Sequence, residues 1–325
     1  MPQPANTYSS YDLTNEHEDY ANTISMISPT DTPFMSMIGD AEEASNTQKD
    51  WTTDTLAAAD NTNARQEGAD ADPQSLTPPV RVGNVTQISD KSFVVSGSAR
   101  AIDVAGAEDE YLRQKIKKGL ELRRDMEKIL VGNQSAAAGS DGDPTRHTGT
   151  MQAWIKTNTN KANDGTDPVI TQGLPVARVP GTPRAFDPAQ ITDLAEKCYD
   201  NSSDWPSVMM VGTRRRKSVS ALMTENAMNN RADFEEGKLI TSVRVYETDF
   251  GDLNLVTNRH MDDGVIALLS PDKWGVSYLQ GRKFISQELG KTGDNTKHQL
   301  ISEFMLKCEN EAANGLIADL IADLI

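Results

Sequence analysis

The longest helical pattern in the chain runs from about Ala107 to Asn133. Apolar residues recur there at spacings of three and four, as on a helix with one buried face. This stripe consists of Leu112, Ile116, Leu120, Leu122, Met126, Ile129 and Leu130. Such a helix would be roughly 40 Å long, so we expect a strut with one side on a sheet and the other facing solvent or a neighbouring subunit. A coiled-coil seam or an ordinary surface helix fits the same pattern.

Residues 1–43 are typical of an N-terminal arm. The arm begins polar, but Phe34, Met35 and Ile38 then form part of an apolar group that prolines prevent from continuing as one long helix. Pro33 suits the first position of a short helix that ends at Ile38. Because exposing these apolar side chains to water is costly, we expect the arm to bury them against another subunit.

Residues 44–100 predict a long β-hairpin. One strand surrounds Trp51, and the other covers residues 81–98 and includes Phe93. The tip between them, residues 57–79, is acidic and rich in small side chains, with almost nothing to bury. A tip of this length is uncommon inside a compact domain and is usually functional or bound to a partner. A disordered insertion is the alternative.

The rest of the chain changes character twice. Residues 134–185 are rich in glycine, proline and small polar residues, which predicts loops with one or two short strands. Residues 186–270 alternate helical patterns with short apolar strands, which indicates an α/β unit. Residues 271–325 are again strand-like and end in a short apolar repeat that suggests a frayed amphipathic tail.

Composition and charge exclude several classes of protein. The 325 residues carry a formal net charge of −16, which argues against a sequence-independent nucleic-acid binder, because such a binder needs clustered Lys and Arg. The sequence has no apolar run of about 18 residues, so we expect no membrane-spanning helix. Cys198 and Cys308 are too few for a disulfide scaffold or a zinc site, so we expect reduced thiols.

Candidate catalytic chemistry is sparse. The sequence has no phosphate-binding loop, zinc-protease motif, nucleophile elbow or calcium loop, so we expect no enzyme, cofactor or metal site. His260 with Asp262 and Asp263 could position a general base, which leaves a hydrolase as an alternative. The basic cluster at residues 214–217 could touch nucleic acid, or it could be a solvated or subunit-contacting face.

The order of these segments and several local phrases resemble the major capsid proteins of tailed bacteriophages with the Hong Kong 97-type fold. The phrases are TISMISPTDTPFMSMIG followed by WTTDTL, then FDPAQITDLAEK and VMMVG, and finally LGKTGDNTKHQLISEFMLKCENEAANGLI. The resemblance covers essentially the whole chain. It implies an α+β fold with an N-terminal arm at 1–43, an extended β-hairpin loop at 44–100, a peripheral domain with the long spine helix at 101–185, an axial domain at 186–270, and a return to peripheral-domain strands with a tail at 271–325.

This resemblance implies a structural protein that assembles into hexamers and pentamers of an icosahedral shell around double-stranded DNA. The expected partners are other copies of the chain, with portal, scaffold and cement proteins as further partners, DNA enclosed without sequence-specific binding, and no membrane. The expected location is the virion, with assembly in the cytoplasm of the host bacterium. A decoration or tail protein is the alternative within the virion. The candidate inter-subunit contacts are Phe34, Met35, Ile38, Trp51, Arg65, Phe93, Arg214, Arg215 and Arg216.

The polar tip of the hairpin generates the first testable prediction. Because it has few large apolar side chains, it should not order itself in a single subunit and should become ordered only across a neighbour. Trypsin should therefore cleave after Arg65 rapidly in unassembled protein and slowly in shells, as followed by gel electrophoresis. Equal cleavage rates in the two states would restore the disordered-insertion interpretation.

Overall fold

The structure, a computed structural model, describes residues 31–71, 75–102, 109–228, 245–248, 250–291 and 293–321. In chain order, the elements up to residue 176 are α1 (Pro33–Ile38), β1 (Gln48–Thr53), β2 (Val80–Val85), β3 (Gln87–Ser96), α2 (Gly97–Ala101), α3 (Glu110–Val131), α4 (Met151–Trp154), β4 (Thr159–Asn160), β5 (Val169–Thr171) and β6 (Leu174–Val176). The later elements are α5 (Ala189–Asn201), β7 (Val208–Val211), α6 (Thr213–Met228), β8 (Val245–Thr248), β9 (Gly251–Thr257), β10 (Ile266–Leu269), β11 (Trp274–Tyr278), β12 (Ile285–Leu289), β13 (Asn295–Cys308) and β14 (Gly315–Ile317).

The longest strand, β13, is the centre of a four-stranded antiparallel sheet, which we call the first sheet. One edge of β13 pairs with β3, from Asn295 opposite Ser96 to Phe304 opposite Gln87. The other edge pairs with β12 and then with β11. Half-buried and buried residues alternate along the first half of β13, whereas residues 302–306 are all buried, on both faces of the sheet. The 14 residues of this strand therefore extend from a half-exposed sheet into the core.

The long helix α3, which we call the spine helix, packs against β3 and β13. It begins after Asp109, whose carboxylate accepts a hydrogen bond from the Tyr111 N–H at 2.9 Å. Such a bond satisfies one of the N–H groups that the start of a helix leaves unpaired. Leu122, Met126 and Leu130 are buried on the sheet side. The predicted helix is confirmed, with described ends at Glu110 and Val131.

The first half of the spine helix departs from the predicted apolar stripe. Leu112 and Ile116 are 54% and 58% exposed. A helix turns by about 100° per residue, so Leu112 lies roughly 80° around the axis from buried Leu122, on a side of the helix that is open to solvent. Tyr111 faces the sheet instead, with its ring centroid 5.6 Å from that of Phe93. The prediction that Leu112 and Ile116 lie on the buried face was therefore wrong.

The hairpin in the structure is shorter than the one predicted over residues 44–100. Its stem is the antiparallel pair of β1 and β2, from Gln48 opposite Val85 to Thr53 opposite Val80. The chain then changes partner at Thr86, whose hydroxyl donates to buried Glu303 at 2.8 Å. The following strand, β3, belongs to the first sheet. The expectation of one loop strand over residues 81–98 is therefore met by β2 up to Val85 and is wrong for residues 87–96, which form β3.

The second sheet has six strands in the order β4-β14-β10-β7-β9-β8. The core strands β7 and β10 are fully buried and antiparallel, and β7 is parallel to β9. The α/β pattern predicted over residues 186–270 is present, but the sheet also takes a strand from residues 159–160 and one from residues 315–317. The second sheet therefore extends beyond residues 186–270, whereas the predicted bounds of the axial domain stay a prediction.

The segment predicted as a frayed tail forms a central strand of the second sheet. β14 pairs with β10 on one side and β4 on the other, and Leu316 and Ile317 are fully buried. Helix α5 lies so close that a Cβ at Gly315 would sit 2.8 Å from Cγ of Leu194. The tail prediction is wrong for residues 315–321, because the free edge of β10 needed a partner strand. Residues 322–325 lie outside the described residues.

The described part of the arm packs on its own subunit. Phe34 is fully buried, with its ring centroid 6.2 Å from that of Trp274, and Met35 and Ile38 belong to the same core. Beyond α1 the chain runs beside β11, with a bridge between Asp40 and Val276. The prediction that these side chains bury against another subunit is therefore wrong, because the subunit's own core covers them. Residues 1–30 of the arm lie outside the described residues.

A buried carboxylate fixes the position of the arm. Glu127 of the spine helix accepts hydrogen bonds from the N–H groups of Phe34 at 2.8 Å and Met35 at 2.9 Å. It also accepts one at 2.6 Å from Nδ2 of Asn258, which follows β9. Burial raises the pKa of Glu127, although the hydrogen bonds from Met35, Phe34 and Asn258 oppose that rise. One carboxylate thus joins the arm, the spine helix and the second sheet.

Both cysteines, Cys198 and Cys308, are buried free thiols that form no disulfide. Burial raises the pKa of the Cys198 thiol to about 12 and that of Cys308 well above its ordinary value. Both are therefore protonated and poorly reactive near neutral pH, because the thiolate is the reactive form.

Each helix among the described residues is too short or too polar to cross a bilayer.

The burial of Phe34 makes a prediction about the unassembled subunit. Phe34→Ala should lower its free energy of unfolding by about 3–5 kcal/mol, because the lost ring leaves a cavity. Leu112→Ala, at an exposed position, should change it by about 0.5 kcal/mol or less. Urea denaturation followed by circular dichroism measures both effects. An unchanged free energy of unfolding in the Phe34→Ala variant would show that the arm is not packed in its own subunit.

Candidate assembly interface

The root of the extended loop is anchored in the core. Trp51 of β1 donates from Nε1 to the Cys308 carbonyl at 2.9 Å, and its ring centroid lies 5.4 Å from that of buried Trp154. Asn84 of β2 donates to the Leu306 carbonyl at 2.7 Å. These contacts tie both strands of the hairpin stem to the end of β13. The loop is therefore fixed where it leaves the subunit.

An ion pair lies beside this root. Asp50 of β1 accepts hydrogen bonds from Gln48 at 2.9 Å and from Arg81 on β2. Burial raises the pKa of Asp50, but the hydrogen bonds from Gln48 and Arg81 and the charge of Arg81 outweigh it, so that pKa lies below its ordinary value. Gly83 fits opposite Asp50 because a Cβ there would overlap the carboxylate. The charged form of Asp50 thus links the two strands.

The tip of the loop projects from the subunit. All described residues from 54 to 79, including Arg65, are exposed. Two apolar side chains stand out, because Leu56 is 99% exposed and Leu76 is 95% exposed. The charged residues described in the tip are mostly acidic, namely Asp54, Asp60, Arg65, Glu67 and Asp70. The tip therefore presents leucines and negative charge that its own subunit does not cover.

The outer face of the spine helix has the complementary character. Leu112 and Ile116 are exposed one turn apart, and a Cβ at Gly119 would meet nothing within 4 Å. The helix carries more basic than acidic residues. The basic ones are Arg113, Lys115, Lys117, Lys118, Arg123, Arg124 and Lys128, and the acidic ones are Glu110, Glu121, Asp125 and Glu127. The helix thus combines an exposed apolar pair with an excess of basic over acidic residues.

The basic cluster at the start of α6 does not form one surface. Arg215 is 1% exposed, donates from Nε to the Asp263 carbonyl at 3.0 Å and from Nη2 to the Ile321 carbonyl, and lies over the Phe186 ring at 5.6 Å. It ties α6 to the end of the described chain. The prediction that Arg215 is a solvated or subunit-contacting residue is therefore wrong.

Its two neighbours point elsewhere. Arg216 donates from Nη1 to the Leu255 carbonyl at 2.9 Å, and burial lowers its pKa. Arg214 has a side chain 68% exposed, with Nε 3.7 Å from the Asp263 carboxylate. The cluster thus divides into one buried, one half-buried and one exposed arginine.

The residues that suggested a hydrolase have structural partners. Asp263 accepts from the Arg214 N–H at 3.1 Å, and Asp262 accepts from Gln152 at 3.4 Å. The pKa of His260 is below its ordinary value because of burial and the charge of Arg124. No group of three or more potential metal ligands occurs among the described residues. The two carboxylates therefore hold loops and helix ends.

The structure does not bring the nine predicted contact residues to one surface. Buried in the subunit are Phe34, Met35, Ile38, Phe93 and Arg215; half-buried are Trp51 and Arg216; exposed are Arg65 and Arg214. The sequence interpretation missed the exposed leucines of the loop tip and the exposed apolar pair of the spine helix. Two lone leucines in a polar stretch, Leu56 and Leu76, were the sequence signal for a contact at the tip. Leu112 and Ile116 were instead predicted to lie on the buried face of the helix.

Comparison with known proteins gives a consistent result. The family model described as SU10 major capsid protein matches residues 4–321. The chain is 30% identical to the major capsid protein of Escherichia phage Phieco32, over 95% of each chain. Its fold is similar to that in the capsid asymmetric unit of cyanophage A-1(L), with a TM-score of 0.62 at 14% identity over 96% of this chain and 98% of that one. It is also similar to that of Gordonia phage Cozz, with a TM-score of 0.59 at 11% identity over 99% and 98%. The fold is the Hong Kong 97-type capsid fold that the sequence predicted.

The difference in burial between Arg215 and Arg214 leads to a second prediction about stability. Arg215→Gln should lower the free energy of unfolding by about 1–3 kcal/mol, because it removes the hydrogen bonds from a buried guanidinium to the Asp263 and Ile321 carbonyl groups. Arg214→Gln should change it by about 0.5 kcal/mol or less. Urea denaturation of unassembled subunits measures both. Equal effects from the two variants would contradict the assigned burial.

Proposed function

This chain belongs to the SU10 major capsid protein family, and we propose that it assembles with copies of itself, as hexamers and pentamers, into an icosahedral shell around double-stranded DNA. The match to a capsid-protein family over residues 4–321 carries this proposal. The protein is a phage major capsid protein, and its role is structural rather than catalytic. Negative-stain electron microscopy of the purified chain tests it, with closed shells as the expected result.

The contact that joins neighbouring subunits runs from the extended loop of one copy to the spine helix of the next. Two observations support this. Leu56 and Leu76 of the tip and Leu112 and Ile116 of the helix are all exposed in the single subunit. The described charges of the tip are mostly acidic, whereas those of the helix are mostly basic. Charge complementarity of this kind favours correct pairing and raises the rate of encounter.

The dimensions of the loop and the helix agree with this arrangement. Half of the tip, roughly 13 residues from root to turn, reaches up to about 43 Å when extended. The 22-residue spine helix is about 33 Å long. The loop can therefore cross the whole helix of a neighbour. Its root, held by Trp51 and Asn84, sets the direction in which it leaves the subunit.

The other partners follow from the family role. Portal, scaffold and cement proteins are further candidate partners, and we place assembly in the cytoplasm of the host bacterium. A net charge of −16 suits a shell that encloses DNA without binding it tightly. No membrane partner is proposed.

The loop-to-helix contact predicts a defect in assembly without a defect in folding. The double variant Leu112→Ser/Ile116→Ser should keep its free energy of unfolding, because both side chains are exposed in the subunit. It should raise the protein concentration needed for shells at least about tenfold, since each apolar side chain contributes roughly 1.5–3 kcal/mol when buried. Light scattering and electron microscopy measure this effect.

The control for this experiment is Val179→Ser, which replaces an apolar residue that is 58% exposed and lies outside the spine helix. It should assemble as the native chain does. Normal shells from the double variant would exclude the proposed contact while leaving the capsid function intact. Loss of shells from both variants would instead indicate a general effect of surface polarity.

A further inference from the structure

A buried histidine lies beneath the first turn of the spine helix. His298 of β13 is 3% exposed. Its Nδ1 lies 2.8 Å from the Tyr111 hydroxyl, and its Nε2 lies 2.8 Å from Oγ of Ser286 on β12. The Phe93 ring of β3 lies 5.4 Å from the imidazole. We call His298, Tyr111, Ser286 and Phe93 the helix clasp, because they join the spine helix to three strands of the first sheet.

The clasp holds a part of the helix that has few other anchors. Residues 110–121 are all described, and each is exposed or half-buried. The second half of the helix, in contrast, has Leu122, Met126 and Leu130 fully buried. Gly119 near the middle lowers helix propensity by about 1 kcal/mol relative to alanine. The two halves of the helix are therefore attached to the sheet by different means.

The charges around the clasp do not suit a protonated imidazole. On the helix side, Lys115 lies near His298, and Arg100 of α2 lies over the Tyr111 ring at 5.1 Å. The acidic groups that face the cluster are Asp109, before the helix, and Glu288 of β12. Neither carboxylate forms an ion pair with His298 within 4.0 Å. A charge on the imidazole would therefore be buried, with exposed Glu288 opposite it on β12 but with no carboxylate of the described residues at ion-pair distance.

The remaining surroundings are uncharged except for Lys91 of β3, which lies opposite Leu300 and pairs with Asp125 of the spine helix. On its own strand, the residues of the same face on either side of His298 are Thr296 and Leu300, and β3 contributes Phe93. Burial and the charge of Lys115 hold the pKa of His298 below its ordinary value, and Glu288 opposes this only in part. The neutral imidazole is therefore the form that the docked helix accommodates.

We propose that the helix clasp is a pH-sensitive attachment, in which protonation of His298 releases residues 110–121 from the first sheet while the second half of the spine helix stays docked. A neutral imidazole offers one donor and one acceptor, which two hydroxyl groups satisfy. An imidazolium ion donates from both nitrogens, so whichever of the two hydroxyl groups donates to the neutral ring must turn its O–H away, and the charge stays buried. Water solvates that charge once the helix is released.

The direction of the pH effect follows from linkage. Docking lowers the pKa of His298 from its ordinary value of 6.5, so docking is fully favoured above that pH and weakens as the pH falls below it. Protection of the helix amides should fall by about tenfold for each unit by which docking lowers that pKa. The release involves one subunit and does not depend on the proposed shell contact.

Hydrogen–deuterium exchange of the full chain in its unassembled state tests this proposal. Exchange at pH 7.5 and pH 5.5, corrected for the intrinsic rate at each pH, is compared for residues 110–121 and residues 122–131. The native chain should lose protection only in the first segment. His298→Gln, whose amide retains a donor and an acceptor but does not titrate, should remove this pH dependence.

The matched control is His260→Gln, because burial also lowers the pKa of His260 but Arg124 and Lys128 place it beside the second half of the helix. This variant should behave as the native chain does. Protection that is independent of pH in the native chain, or pH dependence that persists in His298→Gln, would overturn the proposal.

If His298→Gln does not fold, Tyr111→Phe takes its place. This variant keeps the ring contacts and loses one hydrogen bond, so residues 110–121 should lose protection already at pH 7.5 while residues 122–131 keep theirs. Unchanged protection of the first segment would show that the clasp does not hold the helix.

Discussion

The hydrogen-bond ladder between β3 and β13 is the constraint on which the rest of the structure depends. It fixes ten consecutive residue pairs, from Asn295 with Ser96 to Phe304 with Gln87. Because side chains alternate between the faces of a sheet, this register decides that Phe93 and His298 lie under the spine helix. It also places Thr86, where the chain leaves the loop stem, next to Glu303. A shift of one residue would turn the helix-facing side chains to the other face.

Buried polar groups then join the units that this sheet supports. Glu127 holds the arm and Asn258, and Arg178 forms a buried ion pair with Asp319 at 2.7 Å. Glu303 pairs with Arg146 and Arg282 at 2.7 and 2.6 Å. Removing one partner of such a group leaves the other unpaired, which costs more than the bond itself contributes. These contacts therefore specify one arrangement of the two sheets.

The surfaces left free by this core are those that suit assembly. The hairpin stem is rigid because Trp51 and Asn84 bind the end of β13, whereas its tip exposes leucines and acidic groups. The first half of the spine helix is attached mainly by polar and aromatic contacts around His298. A capsid subunit thus combines a fixed root with a tip and a half-helix that the subunit itself does not bury.

The sequence by itself determined the elements and the family. The spine helix, the hairpin stem and the α/β unit follow from local periodicity, capping residues and turn residues, which act over a few positions. Local patterns also showed that Phe34, Met35 and Ile38 must be buried.

Only the tertiary structure decided what buries each side chain, because partners come from distant parts of the chain. Phe34 packs on Trp274 and donates its N–H to Glu127, so its partners lie in its own subunit and not in another one. Arg215 sits in a basic run yet is buried, because its partners are carbonyl groups that a sequence pattern does not display. Leu316 joins a sheet whose neighbouring strands lie about 50 and more than 150 residues away, and no local signal encodes such a pairing.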